Sequence, residues 1–433
     1  MSKIKKTIHF LRAWLAYWWY GRPARKLIVV GVTGTKGKTT TCRLVASALE
    51  AGGHKVGLLS TVEFQIGEKR WLNDKKMTML GRGQIQRMLR QMVEAGCTYV
   101  VVETSSEGIL QWRHYGLLYD ISVFTNLGTE HQERHGGFEN LRRDKGKIFA
   151  GLAKTKHKIV DGKRVEKVIV ANSDDVQAEY YLQFSADKKF TFSLKNQNPI
   201  SQIPNLVGKI ISSDPTGTNF EAGNFNYRLN IIGEFNVPNA LAAIVVAQSQ
   251  GIAKEKIADG LASVKLVEGR MEEVRAGQDF KVIVDYAHEP MSFTELFTSL
   301  RKMVGEKKII SVIGSDGGGR DKGKRTKMGE IAGRLTDYVV ITDVNCYDED
   351  PHEIAEMLAV GSRQSGKKDN ADLFIEVDRY RGIAKAISLA KQGDVVAILA
   401  KGTEPFIGVA GGKKIPWDDR KIAREILENK KVS

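Results

Sequence analysis

Cysteine is scarce. Cys42, Cys97 and Cys346 are the three in 433 residues; they lie far apart and none falls in a CxxC pair. That excludes a disulfide framework and a cysteine-held metal, and it suits a reducing compartment. Long apolar runs are also lacking. The apolar part of residues 8–20 is interrupted by Arg12, ends without a small-residue cleavage site, and falls short of the roughly 20 residues that cross a bilayer. A secretory signal and a spanning helix are therefore excluded, and a cytoplasmic location is expected. There is no low-complexity linker, internal repeat or long block of like charge.

What is present suits a chain of two or three domains with a large core: 42% hydrophobic and 27% charged residues. The 66 Lys+Arg against 51 Asp+Glu give a net charge of +15, which favours anionic partners without choosing among them. No nucleic-acid-binding motif accompanies that charge, so no nucleic acid partner is expected.

The apolar run "LIVVGV" (27–32) predicts a buried parallel strand, and "TTTCRLVASALEAGG" a helix that stops at Gly52–Gly53. "KVGLLS", "TYVVVETS", "DISVFTNL" and "KVIVANSDD" predict further strands, with a helix in "GQIQRMLRQMVEAG". Strands alternating with helices predict a doubly wound α/β sheet. The stretches "KKFTFSL" and "NFNYRLNI" alternate, and predict antiparallel strands at a sheet edge. A second α/β series, "FKVIVDYAH", "KKIISVIGS", "DYVVITDVN" and "GDVVAILAKG", follows a boundary near Gly269. The expected division is a basic, aromatic N-terminal helix (1–26), a nucleotide-binding domain (27–268) and a Rossmann-like domain (269–433).

Between the first strand and helix lies "GVTGTKGKTTT" (31–41). This is a phosphate-binding loop, or P-loop, in its required strand–loop–helix setting. Backbone N–H groups of Gly34, Thr35, Lys36 and Gly37 and the helix N-terminus would cradle phosphates. Lys38 would meet the β/γ oxygens, the Thr39 hydroxyl would bind the metal, and Thr40 would join the nucleotide-binding set. The loop is a shorter TGTxGKTT variant, because Val32 stands where the usual spacing asks for glycine.

This variant and the motifs after it resemble the Mur ligase family of ATP-dependent amide ligases, related to folylpolyglutamate synthetases. "VETSSEG" (102–108), "TNLGTEHQERHGGFENLRRDKGKIF" (125–149) and "GEFNVPNALAA" (233–243) appear in family order. "EGRMEEV" (268–274), "DYAHEP" (285–290), "GRDKGKRTKMGEIA" (319–332) and "GGKKIPWDDRKIAREIL" (411–427) are closest to its UDP-N-acetylmuramyl-tripeptide synthetase branch. The resemblance implies a P-loop Mur-ligase central domain followed by a Rossmann-like C-terminal Mur-ligase domain. It implies that a carboxylate attacks the γ-phosphate of ATP, giving an acyl phosphate and ADP, and that an amine then displaces phosphate.

The same resemblance implies roles for single residues. Thr39 and Glu103 would hold one Mg²⁺, and His131 with a carbamylated Lys145 a second. A lysine ammonium cannot ligate Mg²⁺, whereas a carbamate offers hard anionic oxygen. Read alone, Lys145 would be a solvated surface lysine and His131 a structural histidine, with His135 its nearest competitor. Asn236 and Asn239 would contact adenine, although helix capping is the ordinary use of such asparagines. Arg270 would reach phosphates and Asp285 the ribose, with His288 nearby. Thr78, Ser105 and Ser106 would contact the peptide-carrying acceptor, and Arg320, Asn345, Tyr347 and Glu404 the incoming amino acid.

Several positions depart from the branch. Where it carries DNPR, whose arginine grips a distal carboxylate, this chain has Val344, Asn345 and Tyr347 in "TDVNCYDEDP" (342–351). "GKGHE" becomes "AKGTE", with Ala400 and Thr403. The serines are followed by Glu107 rather than histidine, and Thr78 by Met79 and Leu80. Diaminopimelate, lysine, ornithine or another amine all stay open. The branch also carries roughly a hundred residues before its loop, a domain's worth, whereas the first strand here opens at Leu27; the uridine-binding domain is expected to be lacking.

Residues 4–19 predict a helix, with Ile4, Ile8, Leu11, Leu15 and Trp18 on one side, widened by Phe10, Trp14 and Trp19. Lys3, Lys5, Lys6 and Arg12 add positive charge. Two readings stay open: an interfacial helix giving peripheral membrane contact through residues 1–22, or a helix packed on the nucleotide-binding domain. Three functions are compared: a ligase adding an amino acid to a UDP-linked cell-wall peptide precursor, the same chemistry on a lipid-linked or other non-UDP acceptor, and a nucleic-acid-dependent P-loop ATPase. A catalytically silent scaffold is opposed by the retained Lys38, Glu103, His131 and Lys145.

Overall fold

A computed structural model of the chain describes residues 3–75, 77–128, 135–196, 200, 202–214, 216–319 and 322–432, with side chains from Thr7 to Lys430. The chain divides into two compact units, residues 1–265 and 266–433.

The first unit opens with α1 (Lys3–Trp19) and then enters β1 (Ile28–Thr33), an apolar strand buried along most of its length. After the P-loop come α2 (Lys38–Ala51), β2 (Val56–Leu59), the hairpin β3 (Glu63–Ile66) and β4 (Lys69–Leu72), α3 (Arg82–Glu94), β5 (Tyr99–Glu103), α4 (Ser106–Leu110) and β6 (Ile121–Phe124). Then follow α5 (Phe138–Lys154), β7 (Val168–Asn172), α6 (Ala178–Leu182), β8 (Lys188–Ser193), β9 (Asn205–Asp214), β10 (Gly217–Ala222), β11 (Asn226–Leu229), α7 (Val237–Ser249) and α8 (Lys254–Ser263). The strands form one sheet in the order β11-β10-β9-β8-β7-β6-β1-β5-β2-β3-β4.

β1 is central and parallel to both β5 and β6. The chain therefore leaves β1 at the carboxyl edge, where strand order reverses and ligands gather in such sheets. α7 and α8 pack against α2 and so against the back of that loop.

One strand expectation needs correction. "KKFTFSL" forms β8, which runs parallel to β7 and β9 rather than antiparallel. The short helix α6 lies between β7 and β8, and such a crossover is what a parallel pair requires. The antiparallel edge begins at β9–β10 and includes "NFNYRLNI" as β11. The β3–β4 hairpin adds a second antiparallel edge that the sequence reading did not separate. Its turn contains Gly67 at φ 58°, a left-handed backbone that glycine adopts without steric cost.

The stripe expected on α1 does not form its packing face. Ala13 and Tyr17 are buried, and Phe10 meets Trp112 and Tyr115 edge-on at 5.1 and 5.2 Å. Ile8, Leu11, Trp14, Leu15, Trp18 and Trp19 lie exposed instead. The Ile4 side chain is outside the described ones.

The second unit contains β12 (Glu272–Glu273), β13 (Lys281–Val284), α9 (Pro290–Val304), β14 (Ile309–Ile313), α10 (Gly323–Leu335), β15 (Tyr338–Ile341), α11 (Pro351–Gln364), β16 (Leu373–Ile375), α12 (Arg379–Leu389) and β17 (Val395–Ile398). A hairpin β18 (Phe406–Gly408) and β19 (Lys414–Pro416) and the final helix α13 (Asp419–Val432) complete it. Its main sheet runs β12-β13-β17-β14-β15-β16 and is parallel except for β12. Arg379 and Asp419 form a buried bidentate pair at 2.8 and 2.7 Å, which fixes the start of α13 against α12. Among the described residues no helix is long and apolar enough to cross a membrane.

Beneath β1, Asp120 is fully buried and receives Lys158 Nζ at 2.6 Å, Lys167 Nζ at 2.8 Å and the Val29 N–H at 2.9 Å. Burial pulls the Lys158 ammonium down to about 8, against the attraction of Asp120. The unfolded chain keeps that proton to about pH 10.5, so this group's contribution to stability rises with pH between those values. Asp120→Asn leaves two buried ammonium groups facing a neutral amide. It is expected to lower the unfolding free energy by about 3–5 kcal/mol in urea titrations at neutral pH.

Candidate active site

The P-loop is held from three sides. Thr33 Oγ1 donates to Thr104 O at 2.9 Å, tying the end of β1 to the residue after β5. Asn126 accepts the Lys36 N–H through Oδ1 at 2.9 Å and the Thr35 N–H through its carbonyl at 2.9 Å. Thr125 Oγ1 donates to Lys36 O at 2.7 Å, and Lys38 Nζ to Thr35 O at 2.7 Å. Gly37 opens α2 at φ 75°, and a Cβ there would come within 2.2 Å of Asn239 Oδ1. Glycine is thus needed twice, for the left-handed backbone and for the approach of α7.

Asn236 and Asn239 do not cap helix α7 with their side chains. Asn236 Nδ2 donates to Ile232 O at 2.9 Å, and its Oδ1 accepts from Asn239 Nδ2 at 3.1 Å. Thr41 Oγ1 donates to Asn239 Oδ1 at 3.2 Å. Both amides are buried beside the loop.

Glu103 ends β5 and is 2% exposed. The Thr39 hydroxyl lies 3.1 Å from each carboxylate oxygen, and the Thr61 N–H donates to Oε2 at 2.7 Å. Thr61 Oγ1 donates in turn to Thr78 Oγ1 at 2.9 Å. The loop hydroxyl, the strand-end carboxylate and the candidate acceptor residue Thr78 therefore form one connected set. Ser105 accepts the Gly108 N–H at 3.2 Å and caps α4, while Ser106 is buried at its first turn.

Lys145, on α5, is buried and donates from Nζ to Gly34 O at 2.8 Å. The solvated position that the residue alone suggests is not what the fold provides. His135 Nδ1 lies 2.7 Å from Asp144 Oδ2. His131 lies outside the described residues, as does Arg320. Among the described residues no three His, Cys, Asp or Glu side chains gather around a metal position. Mg²⁺ takes few protein ligands and keeps waters and phosphate oxygens, so the Thr39 hydroxyl and Glu103 carboxylate suit it as a pair.

Sequence reasoning missed a polar chain beside Thr78. Arg113 Nη1 donates to Met79 O, and Arg113 Nη2 to Gln111 Oε1 at 2.7 Å. Arg82 Nε donates to Gln111 O at 2.8 Å, and Arg82 Nη2 meets His9 Nδ1 of α1. In the sequence Arg82 stands in one stretch with Arg87 and Arg90, and Arg113 beside His114, so both read as ordinary surface.

In the second unit the candidates sit at the carboxyl ends of the parallel strands. Asp285 follows β13 and accepts the Met271 and Ala287 N–H groups, both at 2.7 Å; burial raises its carboxyl above the usual range. Arg270 lies over the Tyr286 ring at 4.9 Å, and His288 Nδ1 lies 2.7 Å from Tyr286 O. Asn345 Nδ2 donates to Asp316 Oδ1 at 2.7 Å and to Glu404 Oε2 at 3.1 Å. Lys401, fully buried, donates to Glu404 Oε2 at 3.0 Å and to Phe406 O at 2.8 Å. Tyr286 OH donates to Glu404 Oε1 at 3.2 Å. Tyr347 adopts φ 53°, and its ring covers Gly408 and Gly318. Asn345 and Glu404 thus come together with Lys401 and Asp316, while Tyr347 covers Gly408, whose N–H donates to Asn345 Oδ1 at 2.8 Å.

Residues 32–247 match the family model for the Mur ligase middle domain, and residues 269–402 that for the Mur ligase glutamate ligase domain. A UDP-N-acetylmuramyl-tripeptide synthetase of Roseiflexus sp. (strain RS-1) is 39% identical over 421 residues, covering 95% of this chain and 81% of that protein. The chain belongs to the Mur ligase family. It is accordingly an ATP-dependent, ADP-forming carboxylate–amine ligase. A UDP-N-acetylmuramoyl-L-alanyl-D-glutamate–2,6-diaminopimelate ligase of Geobacillus thermodenitrificans is 34% identical over 424 residues, 96% of this chain and 82% of that one. A solved diaminopimelate ligase of the same description aligns with TM-score 0.60 and 27% identity over 94% of this chain and 79% of its own. Folylpolyglutamate synthase of Mycobacterium tuberculosis shares the fold, with TM-score 0.67 and 16% identity over 90% of this chain and 92% of its own. Mur ligases use ATP and Mg²⁺ and act on small-molecule substrates.

One departure from the family has a measurable cost. Ala400, in place of glycine, sits at φ 83°, where a Cβ is crowded by backbone. Ala400→Gly is expected to stabilise the second unit by about 1 kcal/mol in denaturant titrations.

Proposed function

We propose that this ligase adds an amino acid to the carboxylate of a UDP-N-acetylmuramoyl-peptide type of cell-wall precursor, through an acyl phosphate. The observation that carries this reading is the linked set Thr39–Glu103–Thr61–Thr78, in which the buried Glu103 carboxylate joins the phosphate-binding loop to Thr61, whose hydroxyl donates to the candidate acceptor residue Thr78. ATP and Mg²⁺ would supply the transferable phosphoryl group and the cationic charge that offsets crowded oxygens.

The chain's own residues divide the remaining tasks. Gly34, Thr35, Lys36, Gly37, Lys38 and Thr40 cradle the phosphates with N–H, ammonium and hydroxyl donors. Thr39 and Glu103 hold one Mg²⁺; His131 and Lys145 hold a second. Lys145 does so as a carbamate, which keeps one N–H for Gly34 O and adds two oxygens that share one negative charge. Its buried position against the loop supports that assignment. Asn236, Asn239, Arg270, Asp285 and His288 serve the nucleotide. Thr78, Ser105 and Ser106 orient the acceptor. Arg320, Asn345, Tyr347 and Glu404 receive the incoming amino acid, and Tyr347 in place of arginine changes the group that meets its distal end. A second reading keeps this chemistry and makes the acceptor lipid-linked; the exposed apolar face of α1, whose packed side reaches Arg82 near Thr78, favours it.

Phosphate release from ATP, measured with UDP-linked muramyl dipeptide and single amino acids, is expected to rise with one amine and to yield its amide. No stimulation by any amine contradicts the acceptor assignment. Glu103→Gln and Lys145→Ala are each expected to lower kcat by about a hundredfold or more. Bicarbonate is not expected to restore Lys145→Ala, and full activity in that variant contradicts the carbamate.

A further inference from the structure

Helix α1 has two faces with different work. One face packs: Ala13 and Tyr17 are 2% and 8% exposed, and Phe10 inserts between Trp112 and Tyr115. The other carries Ile8, Leu11, Trp14, Leu15, Trp18 and Trp19, exposed by 41–84%. Their spacing of three and four residues gathers most of them along one side of the helix. The unit's core therefore does not use this stripe, and six large apolar side chains in one place mark an interaction surface.

Charge selects the occupant. The first 26 residues contain seven Lys and Arg, and no Asp or Glu occurs before Glu50. Arg22 holds its guanidinium over the Trp18 ring at 4.5 Å. Three of the chain's six tryptophans lie in α1. Tryptophan prefers the level of lipid headgroups, and basic groups beside it are drawn to anionic lipids. A helix of 17 residues is too short to span a bilayer but suited to lie in its interface.

The packed face meets the acceptor loops. His9 contacts Arg82, Arg82 donates to Gln111 O, and Arg113 links Gln111 to Met79, the neighbour of Thr78. We propose that α1 docks this ligase on an anionic bilayer surface through Ile8, Leu11, Trp14, Leu15, Trp18 and Trp19, and thereby presents the Thr78 loop to an acceptor carboxylate carried on a lipid. The first clause stands on α1 alone. The second rests on the ligase reading above.

The test uses the full chain with vesicles of phosphatidylcholine, and of phosphatidylcholine mixed with phosphatidylglycerol. The protein is expected to sediment with the anionic vesicles, with its tryptophan emission shifted to the blue, and to stay in solution with the neutral ones. Leu11→Glu combined with Leu15→Glu is expected to lower vesicle partitioning by about tenfold or more, since two leucines that would enter the lipid interface are lost. The same variant should keep its unfolding midpoint and its turnover of a soluble acceptor. Equal sedimentation of variant and wild type overturns the docking, as does wild type that ignores anionic vesicles. A lipid-free dimer that the double variant dissolves assigns the stripe to a second copy and also overturns it. With a lipid-anchored muramyl dipeptide in the anionic vesicles, wild type is expected to outpace the variant. Equal rates overturn the presentation of the acceptor. Absence of turnover with both soluble and anchored acceptors overturns the ligase reading instead, and leaves the sedimentation result as it stands.

Discussion

The buried carboxylate of Glu103 is the constraint on which the first unit's site depends. Burying an anion is costly unless donors or cations surround it. Here the Thr39 hydroxyl and the Thr61 N–H do so, one from the phosphate-binding loop and one from the loop after β2. Each of these segments is thereby positioned by the group that it helps to stabilise. The parallel pairing of β1 with β5 sets Val32 opposite Glu103, so the carboxylate's height along the sheet follows from strand register. Lys145 completes the arrangement from α5, where its ammonium reaches the carbonyl of Gly34. Several donors of the loop are already engaged, the Lys36 N–H by Asn126 and Lys38 Nζ by Thr35 O, so a phosphate group has to compete with those bonds.

The second unit uses the same principle with opposite charge. Lys401 is a fully buried cation at the carboxyl end of β17, and Glu404, Val344 O and Phe406 O surround it. Asn345 and Tyr286 then hold Glu404 from either side. Ala400 accepts a left-handed backbone immediately before this lysine. The cost of that conformation is local, and the bonds made by Lys401 offset it. Tyr347 also accepts a left-handed backbone, and its ring packs over two glycines where a larger backbone neighbour would not fit. The two departures lie close along the network: Ala400 adjoins Lys401, and Tyr347 covers Gly408, whose N–H donates to Asn345.

The parts legible in the sequence are those set by local rules. The loop "GVTGTKGKTTT" announces itself through glycine spacing between a strand and a helix, and the sheet's central strands through continuous apolar runs. The direction of β8 was not legible, because alternation marks a half-buried strand without telling which neighbour it joins. The stripe on α1 was legible as a period, but the period does not say which side faces the protein; the aromatic pocket of Trp112 and Tyr115, distant in sequence, decides that. Arg82 and Arg113 escaped notice for a related reason. Their role comes from contacts with His9, Gln111 and Met79 that only the fold brings together. The buried position of Lys145 is invisible to composition, since lysines are mostly exposed.

In the proposed reaction an oxygen of the acceptor's carboxylate attacks phosphorus before any amide forms. Transfer of ¹⁸O from a labelled acceptor carboxylate to the released inorganic phosphate, read by mass spectrometry, tests it most directly. One labelled oxygen is expected in each phosphate released during amide formation. Unlabelled phosphate accompanying amide formation would contradict it.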